Sequence, residues 1–241
     1  MMNTKARVYS GIARETIAKI TSSTEEWTSF LKTMSRNYEF SYPEQVMIYA
    51  QRPGASCCKP YDEWNDEPYR RYVRRGSTGI ALFVENGDRP YLRYVFDIAD
   101  TGVRRSSLVL NPWKVTDENR SYVSEAMGRA FGVPGGLLES QLEDIALSLA
   151  EEYWDAYKSP ILDIVANSAH EGYDEINIKA AFRKAAAASV AYTMYCRLVD
   201  NPDSYFEQED FLNVFDFNTR QTTNALGTAV SSISSRIFQE I

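Results

Sequence analysis

Arginine side chains are concentrated in one short segment of this 241-residue chain. Four of them lie within six residues, namely Arg70, Arg71, Arg74 and Arg75, and Arg52 and Lys59 precede them. A guanidinium group can pair a phosphate through two parallel hydrogen bonds and can stack on a base, which a lysine ammonium does less well. The cluster therefore indicates a surface for a polyanion. The alternative is a solvated loop whose charges are balanced by four nearby carboxylates: Asp62, Glu63, Asp66 and Glu67.

Aromatic residues are interleaved with these cations. Exposed rings offer faces to unstacked bases, and rings beside basic groups are the ingredients of a site for single-stranded nucleic acid. Because aromatic residues at helical spacing often belong to the core, we expect Tyr49 and Trp64 to be buried. We expect the remaining rings of the segment to be exposed: Tyr42, Tyr61, Tyr69 and Tyr72. The predicted DNA-binding residues are Lys59, Tyr61, Tyr69, Arg70, Arg71, Tyr72, Arg74 and Arg75.

Residue types that support catalysis are sparse. His170 is the only histidine, so a helical zinc-protease motif, which needs two, cannot be built; we interpret it as a surface or packing residue. Three cysteines, two of them adjacent at Cys57 and Cys58, form neither a disulfide framework nor a zinc ligand set. Acidic pairs such as Glu151 and Glu152 are capable of binding a hard cation, but charged helix faces produce them routinely. We predict no enzymatic activity, no metal and no cofactor.

Charge is distributed unevenly along the chain. The net charge is -7, but residues 1–112 carry +3 and residues 113–241 carry -10. The acidic half could imitate nucleic-acid phosphates and occupy the basic groove of a partner, or it could be a solvated exterior. The odd number of cysteines and the absence of a signal-like N-terminus favour a reducing cytoplasm. The longest apolar run, residues 185–196, is too short to cross a membrane.

Helices are expected ahead of the arginine cluster. Residues 5–20 have helical spacing, and acidic residues after Ser23 suit the positive end of a second helix. Pro43 suits the start of a third helix, Pro53 ends it, and residues 61–65 form a short fourth. The second helix has one apolar face, at positions i, i+3, i+4 and i+7: Trp27, Phe30, Leu31 and Met34.

The good strand candidates follow the arginine cluster. Gly76 and Gly79 indicate a turn, and their spacing matches neither phosphate-loop fingerprint. Residues 79–85 and 91–98 are rich in β-branched and aromatic residues, and Asn86-Gly87-Asp88-Arg89-Pro90 joins them. Asn-Gly between two such runs is a strong hairpin signal.

After Trp113 the pattern is helical almost throughout. Apolar residues recur every three or four positions in three stretches: Leu138 to Tyr153, Ile178 to Leu198, and Leu226 to Ile241. The last stretch has no glycine cap or basic last turn. We interpret its apolar seam either as a partner surface, which includes a homodimer, or as the end of a piece of a longer chain.

These patterns predict an α+β fold, with helices around a small antiparallel sheet, followed by a mainly α-helical module. We place the boundary at residue 112, so that residues 1–112 bind nucleic acid and residues 113–241 form the acidic helical module. No internal repeat, low-complexity tract or flexible linker interrupts the sequence.

The segment from Tyr42 to Ile80 resembles the N-terminal single-stranded-DNA-binding domain of ArdC-type antirestriction proteins. That family's pattern has an aromatic residue, a polar residue, Gln, two apolar residues, Tyr or Trp, Ala and Gln, often followed by Arg-Pro. An aromatic residue, a Trp, basic residues and Gly-x-x-Gly-Ile come later. The matching positions are Gln45, Tyr49, Ala50, Gln51, Arg52, Pro53, Tyr61, Trp64, Arg74, Arg75, Gly76, Gly79 and Ile80. Glu44 stands where the family usually has Asn.

The rest of the chain looks like the N-terminal region of very large proteins carried by conjugative elements of Gram-positive bacteria. Four phrases carry that likeness: residues 94–98, 151–154, 211–218 and 225–230. The resemblance implies binding of single-stranded DNA and evasion of host defences. The zinc-protease domain that follows in ArdC-type proteins has no counterpart in this sequence, so no hydrolytic role is implied.

Two functional hypotheses are compatible with these patterns. The first is a non-enzymatic single-stranded-DNA-binding protein of a mobile genetic element or phage that evades host defence. In it, the four arginines and Lys59 contact phosphates while Tyr61, Tyr69 and Tyr72 stack on bases. The second is a protein-binding inhibitor of a bacterial immune nuclease, similar to an anti-CRISPR protein, that acts through the acidic helices.

Overall fold

The computed structural model describes residues 4–84, 91–110, 114–199 and 201–241. Its helices are α1 (Thr4–Ile20), α2 (Thr24–Arg36), α3 (Tyr42–Gln51), α4 (Tyr61–Asn65), α5 (Arg120–Phe131), α6 (Leu138–Ile164), α7 (Glu175–Leu198) and α8 (Arg220–Gln239). Its strands are β1 (Cys58–Pro60), β2 (Tyr72–Val73), β3 (Ile80–Val84), β4 (Tyr91–Asp97) and β5 (Thr101–Gly102), and short 3-10 helices lie at Ile98–Asp100, Pro202–Ser204 and Gln208–Asp216. The predicted α+β class, with a small antiparallel sheet and a helical C-terminal part, is confirmed. Within these ranges, no helix has the length and apolar character needed to cross a membrane.

α2 begins and packs as its sequence predicts. The hydroxyl of Ser23 accepts a hydrogen bond from the Glu26 N–H at 3.3 Å, which satisfies one amide that a helix start leaves unpaired. The predicted apolar face is fully buried: Trp27, Phe30, Leu31 and Met34. The indole N–H of Trp27 donates to the Ser189 hydroxyl on α7 at 3.0 Å, so burial does not leave this donor unpaired.

The main sheet has the strand order β1-β4-β3, and both strand pairs are antiparallel. Ile80 lies opposite Val95 and Val84 lies opposite Tyr91, which confirms the predicted pairing of these two strands. The predicted turn at residues 86–90 lies outside the described residues. The sheet and α3 enclose a small hydrophobic cluster: Met47, Ile48, Ala55, Cys58, Ile80, Leu82 and Val95.

A second, two-stranded sheet joins β2 to β5. Tyr72 lies opposite Gly102 and Val73 lies opposite Thr101 in this antiparallel pair. The sequence predicts neither this pair nor β1, because two or three residues are too few to show an alternating pattern. The pair fixes the arginine segment against a distant part of the chain.

The main hydrophobic core contains residues from both sides of residue 112. Apolar residues of α2 and α3 pack with those of α6, α7 and α8 in one cluster. Tyr42, predicted to be exposed, is 2% exposed, so that prediction is wrong. Its ring lies against Gly227 of α8, where a Cβ atom would overlap it. The domain boundary at residue 112 stays a prediction.

The apolar seam of α8 faces the interior. Leu226, Val230, Ile233 and Ile237 are each at most 4% exposed and belong to the main core. α8 contacts α3, α6 and α7, so the chain's own helices cover the seam that the sequence suggested for a partner. We therefore do not propose a homodimer through this helix.

Candidate nucleic-acid interface

The arginine segment is held against residues 99–107 by hydrogen bonds on both sides of the β2–β5 pair. The N–H of Arg74 donates to the carbonyl of Asp100 at 2.8 Å. The hydroxyl of Ser107 donates to the carbonyl of Arg70 at 2.7 Å. Two segments that are distant in sequence therefore form one continuous stretch of surface.

Arg104, which is outside the predicted set, joins the cluster through this arrangement, and Arg105 follows it in the chain. The guanidinium of Arg104 donates to the carbonyl of Arg71 at 3.0 Å. Residues 69–79 and 101–110 together contain six arginines and no carboxylate. The Arg104-Arg105 pair is visible in the sequence, but its position depends on a strand pair that no pattern predicts. We define the basic surface as Tyr61, Arg70, Arg71, Tyr72, Arg74, Arg75, Arg104 and Arg105.

The ring of Tyr72 lies against the backbone of Gly102. A Cβ atom at Gly102 would overlap this ring, so the close approach requires glycine. The guanidinium of Arg104 lies over the same ring, 5.6 Å from its centroid, within the range of a cation–π interaction. Tyr72 is nevertheless 42% exposed, so ring area remains available to a base.

The other two predicted stacking residues differ from each other. Tyr61 is 52% exposed, and its ring packs edge-on against Phe96 with 6.2 Å between centroids. Tyr69 is half-buried, with its ring edge-on to Trp64 at 5.3 Å and the ammonium of Lys59 5.3 Å from its centroid. Trp64 is fully buried, which confirms its prediction as a core residue. Tyr61 therefore presents more ring area to a base than Tyr69 does.

Neutral oxygen atoms anchor two of the predicted arginines. The Nε–H of Arg71 donates to the Thr101 hydroxyl at 2.7 Å. An Nη1–H of Arg74 donates to the carbonyl of Ala99 at 2.9 Å. Because a guanidinium carries five N–H donors, a single such contact leaves others for a phosphate.

The remaining two predicted arginines are exposed. Arg70 forms a surface ion pair with Glu67, which contributes little to stability because both groups are solvated. Within the described ranges the side chain of Arg75 has no ion-pair or hydrogen-bond partner. Among the residues that the structure describes, therefore, one of the four predicted arginines is paired with a carboxylate.

Lys59 differs from the arginines because it is only 9% exposed. Its Nζ lies 2.9 Å from a carboxylate oxygen of Glu39 and 2.9 Å from one of Glu63. Burial lowers the pKa of Lys59, but hydrogen bonds to the two carboxylates outweigh that effect and raise the pKa above its ordinary value. Lys59 therefore keeps its positive charge, and the two carboxylates balance that charge inside the protein. We do not include Lys59 in the basic surface.

A buried carboxylate and an ion pair fix the segment that leads into β5. Asp97 is 1% exposed and accepts backbone N–H bonds from Ser56 at 2.6 Å and Ala99 at 2.9 Å. Asp100 receives two parallel hydrogen bonds from Arg52, at 2.6 and 3.1 Å. These contacts hold the backbone that carries Ala99 to Gly102, and hence they hold the partner strand of β2.

Several positions of the ArdC-like pattern have structural roles. Gln51 makes a double hydrogen bond to the backbone of Ala81 on β3, 2.9 Å each way. The side-chain amide of Gln45 is buried and donates to the carbonyl of Asn37 at 3.2 Å. These two glutamines therefore pin α3 to the sheet and to the end of α2.

Glu44 lies in an ion pair. Its carboxylate accepts hydrogen bonds from the Ser41 N–H at 3.1 Å and from the Arg93 guanidinium at 2.6 Å. The negative charge at this position, where Asn is usual in ArdC-type proteins, is therefore balanced locally.

The histidine is a packing residue, one of its two predicted roles. His170 is 2% exposed, and its ring packs edge-on against Phe217 with 4.7 Å between centroids. Burial lowers the pKa of His170 below its usual 6.5, although the charge of Asp216 acts in the opposite direction. Within the described ranges, no group of three or more His, Cys, Asp or Glu side chains is placed to hold a metal ion.

Comparison of the chain with protein-family models, curated proteins and solved structures gives no match. The resemblance to ArdC-type proteins therefore stays a prediction.

Proposed function

We propose that this protein binds single-stranded DNA through the basic surface and catalyses no reaction there. One observation supports this most strongly. The β2–β5 pair joins two segments that contain six arginines and no carboxylate, around the exposed ring of Tyr72. Guanidinium groups around an exposed ring can contact phosphates while the ring accepts a base.

A single strand suits this surface better than a duplex does. Tyr61 and Tyr72 can only stack on bases that have left a helix, because the bases of a duplex already stack on each other. Every base has a π face, so stacking tolerates any sequence, and we expect little sequence preference.

The biological role in this proposal is evasion of host defence by a mobile element. It rests on the resemblance of the Tyr42–Ile80 segment to the DNA-binding domain of ArdC-type antirestriction proteins. A protein that covers single-stranded DNA in a recipient cell would hinder the access of defence nucleases to it.

Fluorescence anisotropy with a labelled single-stranded oligonucleotide, over a range of NaCl concentrations, tests the binding. The logarithm of the binding constant should fall with log[salt] by about 0.7 for each phosphate neutralised. The double variant Arg74→Gln/Arg75→Gln should lower the affinity and reduce this slope by about 1.4. A duplex of the same sequence should bind more weakly than the single strand.

A matched control uses two exposed arginines outside the basic surface. Arg129→Gln/Arg220→Gln makes the same change in net charge, on α5 and α8. This control should leave affinity and slope close to the wild-type values. If it weakened binding as much as the Arg74/Arg75 variant, or if the duplex bound as tightly as the single strand, the proposal would be wrong.

A further inference from the structure

A groove of about 460 Å³ lies on the helical part, between α6, α7 and the 3-10 segment Gln208–Asp216. Alanines of α7 and larger apolar side chains line it: Ala187, Ala188, Ala191, Leu147, Tyr205 and Phe206. Alanine has no side chain beyond Cβ, so another backbone can approach α7 closely here. The groove contains no residue of the basic surface.

The sides of the groove are held in place by contacts within the protein. The ring of Tyr205 packs edge-on against Tyr195 with 5.1 Å between centroids, and so does the ring of Phe206, also at 5.1 Å. The Tyr195 hydroxyl donates to the Glu143 carboxylate at 3.0 Å. Tyr205 is still 48% exposed and Leu147 43% exposed. A preformed apolar site loses less conformational entropy when a partner binds.

The charged residues around the groove are mostly acidic. Glu143, Glu209 and Asp210 line it, against the single cation Lys184. In the described part of the chain, the side chains of Glu209 and Lys184 have no ion-pair or hydrogen-bond partner. The carboxylate of Glu209 is therefore available to a positively charged ligand.

We propose that this groove binds a basic amphipathic α-helix of another protein. The alanines that line the groove permit the close approach that packed helices need, and the exposed Tyr205 and Leu147 offer contacts to an apolar helix face. The carboxylates complement lysines and arginines at the edges of that face and exclude an acidic helix. Basic helices are common on nucleic-acid-binding proteins, whereas nucleic acid itself would be repelled by this rim.

A synthetic helical peptide, with Lys and Arg on one face and Leu and Ala on the other, serves as the probe. The peptide is titrated into the full chain carrying ¹³C-labelled alanine methyl groups, and NMR follows the methyl signals. Fluorescence anisotropy measures the affinity separately. We expect saturable binding with the largest methyl shifts at Ala187, Ala188 and Ala191. A peptide with Glu in place of Lys and Arg should not bind.

Three variants locate the site. Glu209→Lys should lower the affinity for the peptide about tenfold or more, because it removes one attractive charge contact and adds one repulsion. Ala188→Gln should abolish binding by filling the groove, while a good helix former preserves α7, which circular dichroism checks. The control Asp163→Lys changes an exposed carboxylate of α6 outside the groove and should have little effect.

Each of four results with the peptide would overturn the inference. They are an absence of binding at low salt, an equal loss for Asp163→Lys and Glu209→Lys, unchanged binding by Ala188→Gln, or methyl shifts confined to other alanines. Self-association of the chain through this groove, seen by light scattering and removed by Ala188→Gln, would identify a second copy as the occupant and would also reject the proposal. Oligonucleotide affinity should be the same in Glu209→Lys and the wild type, so a failure here leaves the DNA-binding test unaffected.

Discussion

The guanidinium of Arg104 lies over the ring of Tyr72, 5.6 Å from the ring centroid, although the two residues are far apart in the sequence. Tyr72 in turn lies against the Gly102 backbone. Two residues from the β5 region thus hold one exposed ring in a defined orientation. A ring held in this way loses little side-chain entropy when a base stacks on it.

Removal of the exposed rings should weaken the binding of single-stranded DNA. Stacking contributes about 1–3 kcal/mol per base, so Tyr72→Ala and Tyr61→Ala should each lower the affinity by a factor between about 5 and about 150. Anisotropy titrations at one fixed salt concentration measure this. Tyr122→Ala, which removes an exposed ring on α5, is the control and should bind like the wild type. Equal losses of affinity for Tyr122→Ala and Tyr72→Ala would contradict the assignment of Tyr72 as a stacking residue.

Gly102→Ala should reproduce much of the effect of Tyr72→Ala without unfolding the protein. The added Cβ would overlap the Tyr72 ring and displace it from its place beside Arg104. The double variant Gly102→Ala/Tyr72→Ala should then bind single-stranded DNA only slightly more weakly than Tyr72→Ala alone, because both changes act on one ring. Gly54→Ala, where a Cβ has open space around it, is the control. If the losses of binding free energy were fully additive in this double-mutant cycle, Gly102 would act independently of the Tyr72 ring.

His170 should make stability depend on pH near neutrality. Burial lowers the pKa of His170 in the folded state below 6.5, so the unfolded chain binds the proton more readily. The stability contributed by the neutral ring is complete above about pH 6.5 and is lost as the pH falls towards the folded pKa. Urea unfolding at about pH 8 and about pH 5.5 should show a larger decrease for the wild type than for His170→Phe. Equal decreases would reject the prediction, and NMR titration of the ring gives the folded pKa directly.

Ser189→Ala should lower the free energy of unfolding by more than the loss of one small hydroxyl group suggests. It leaves the indole N–H of Trp27 buried without its acceptor, which costs about 1–3 kcal/mol of unfolding free energy. Thr193→Val is the control, because the Thr193 hydroxyl donates to the carbonyl of Ser189 in its own helix, and the change should cost less. Urea denaturation followed by tryptophan fluorescence measures both. A loss for Thr193→Val equal to that for Ser189→Ala would contradict this explanation.

Long, periodic segments of the fold can be predicted from this sequence. The face of α2 and the course of α7 to Leu198 follow apolar residues repeated over several turns. The pairing of β3 with β4 follows two β-rich runs on either side of an Asn-Gly turn signal. In each case the information lies in neighbouring residues, so no distant contact has to be known.

The basic surface is only partly predictable. Tyr61 and Tyr72 are exposed as expected, but Tyr42 is buried because it meets Gly227, far away in the chain. Arg104 joins the surface through a strand pair two residues long, which leaves no periodic signal. Lys59 lies in a charged cluster that predicts exposure, yet its two carboxylate partners permit its burial.

The contact of Tyr42 with Gly227 decides how the protein can be dissected. α3 belongs to the part that carries the arginines, and α8 shields the ring of its Tyr42 from water. We expect a fragment ending at residue 112 to aggregate when synthesised alone, because that shielding would be missing. Substitutions near Gly227 would then lower the measured binding of single-stranded DNA by reducing the fraction of folded protein, although Gly227 lies outside the basic surface.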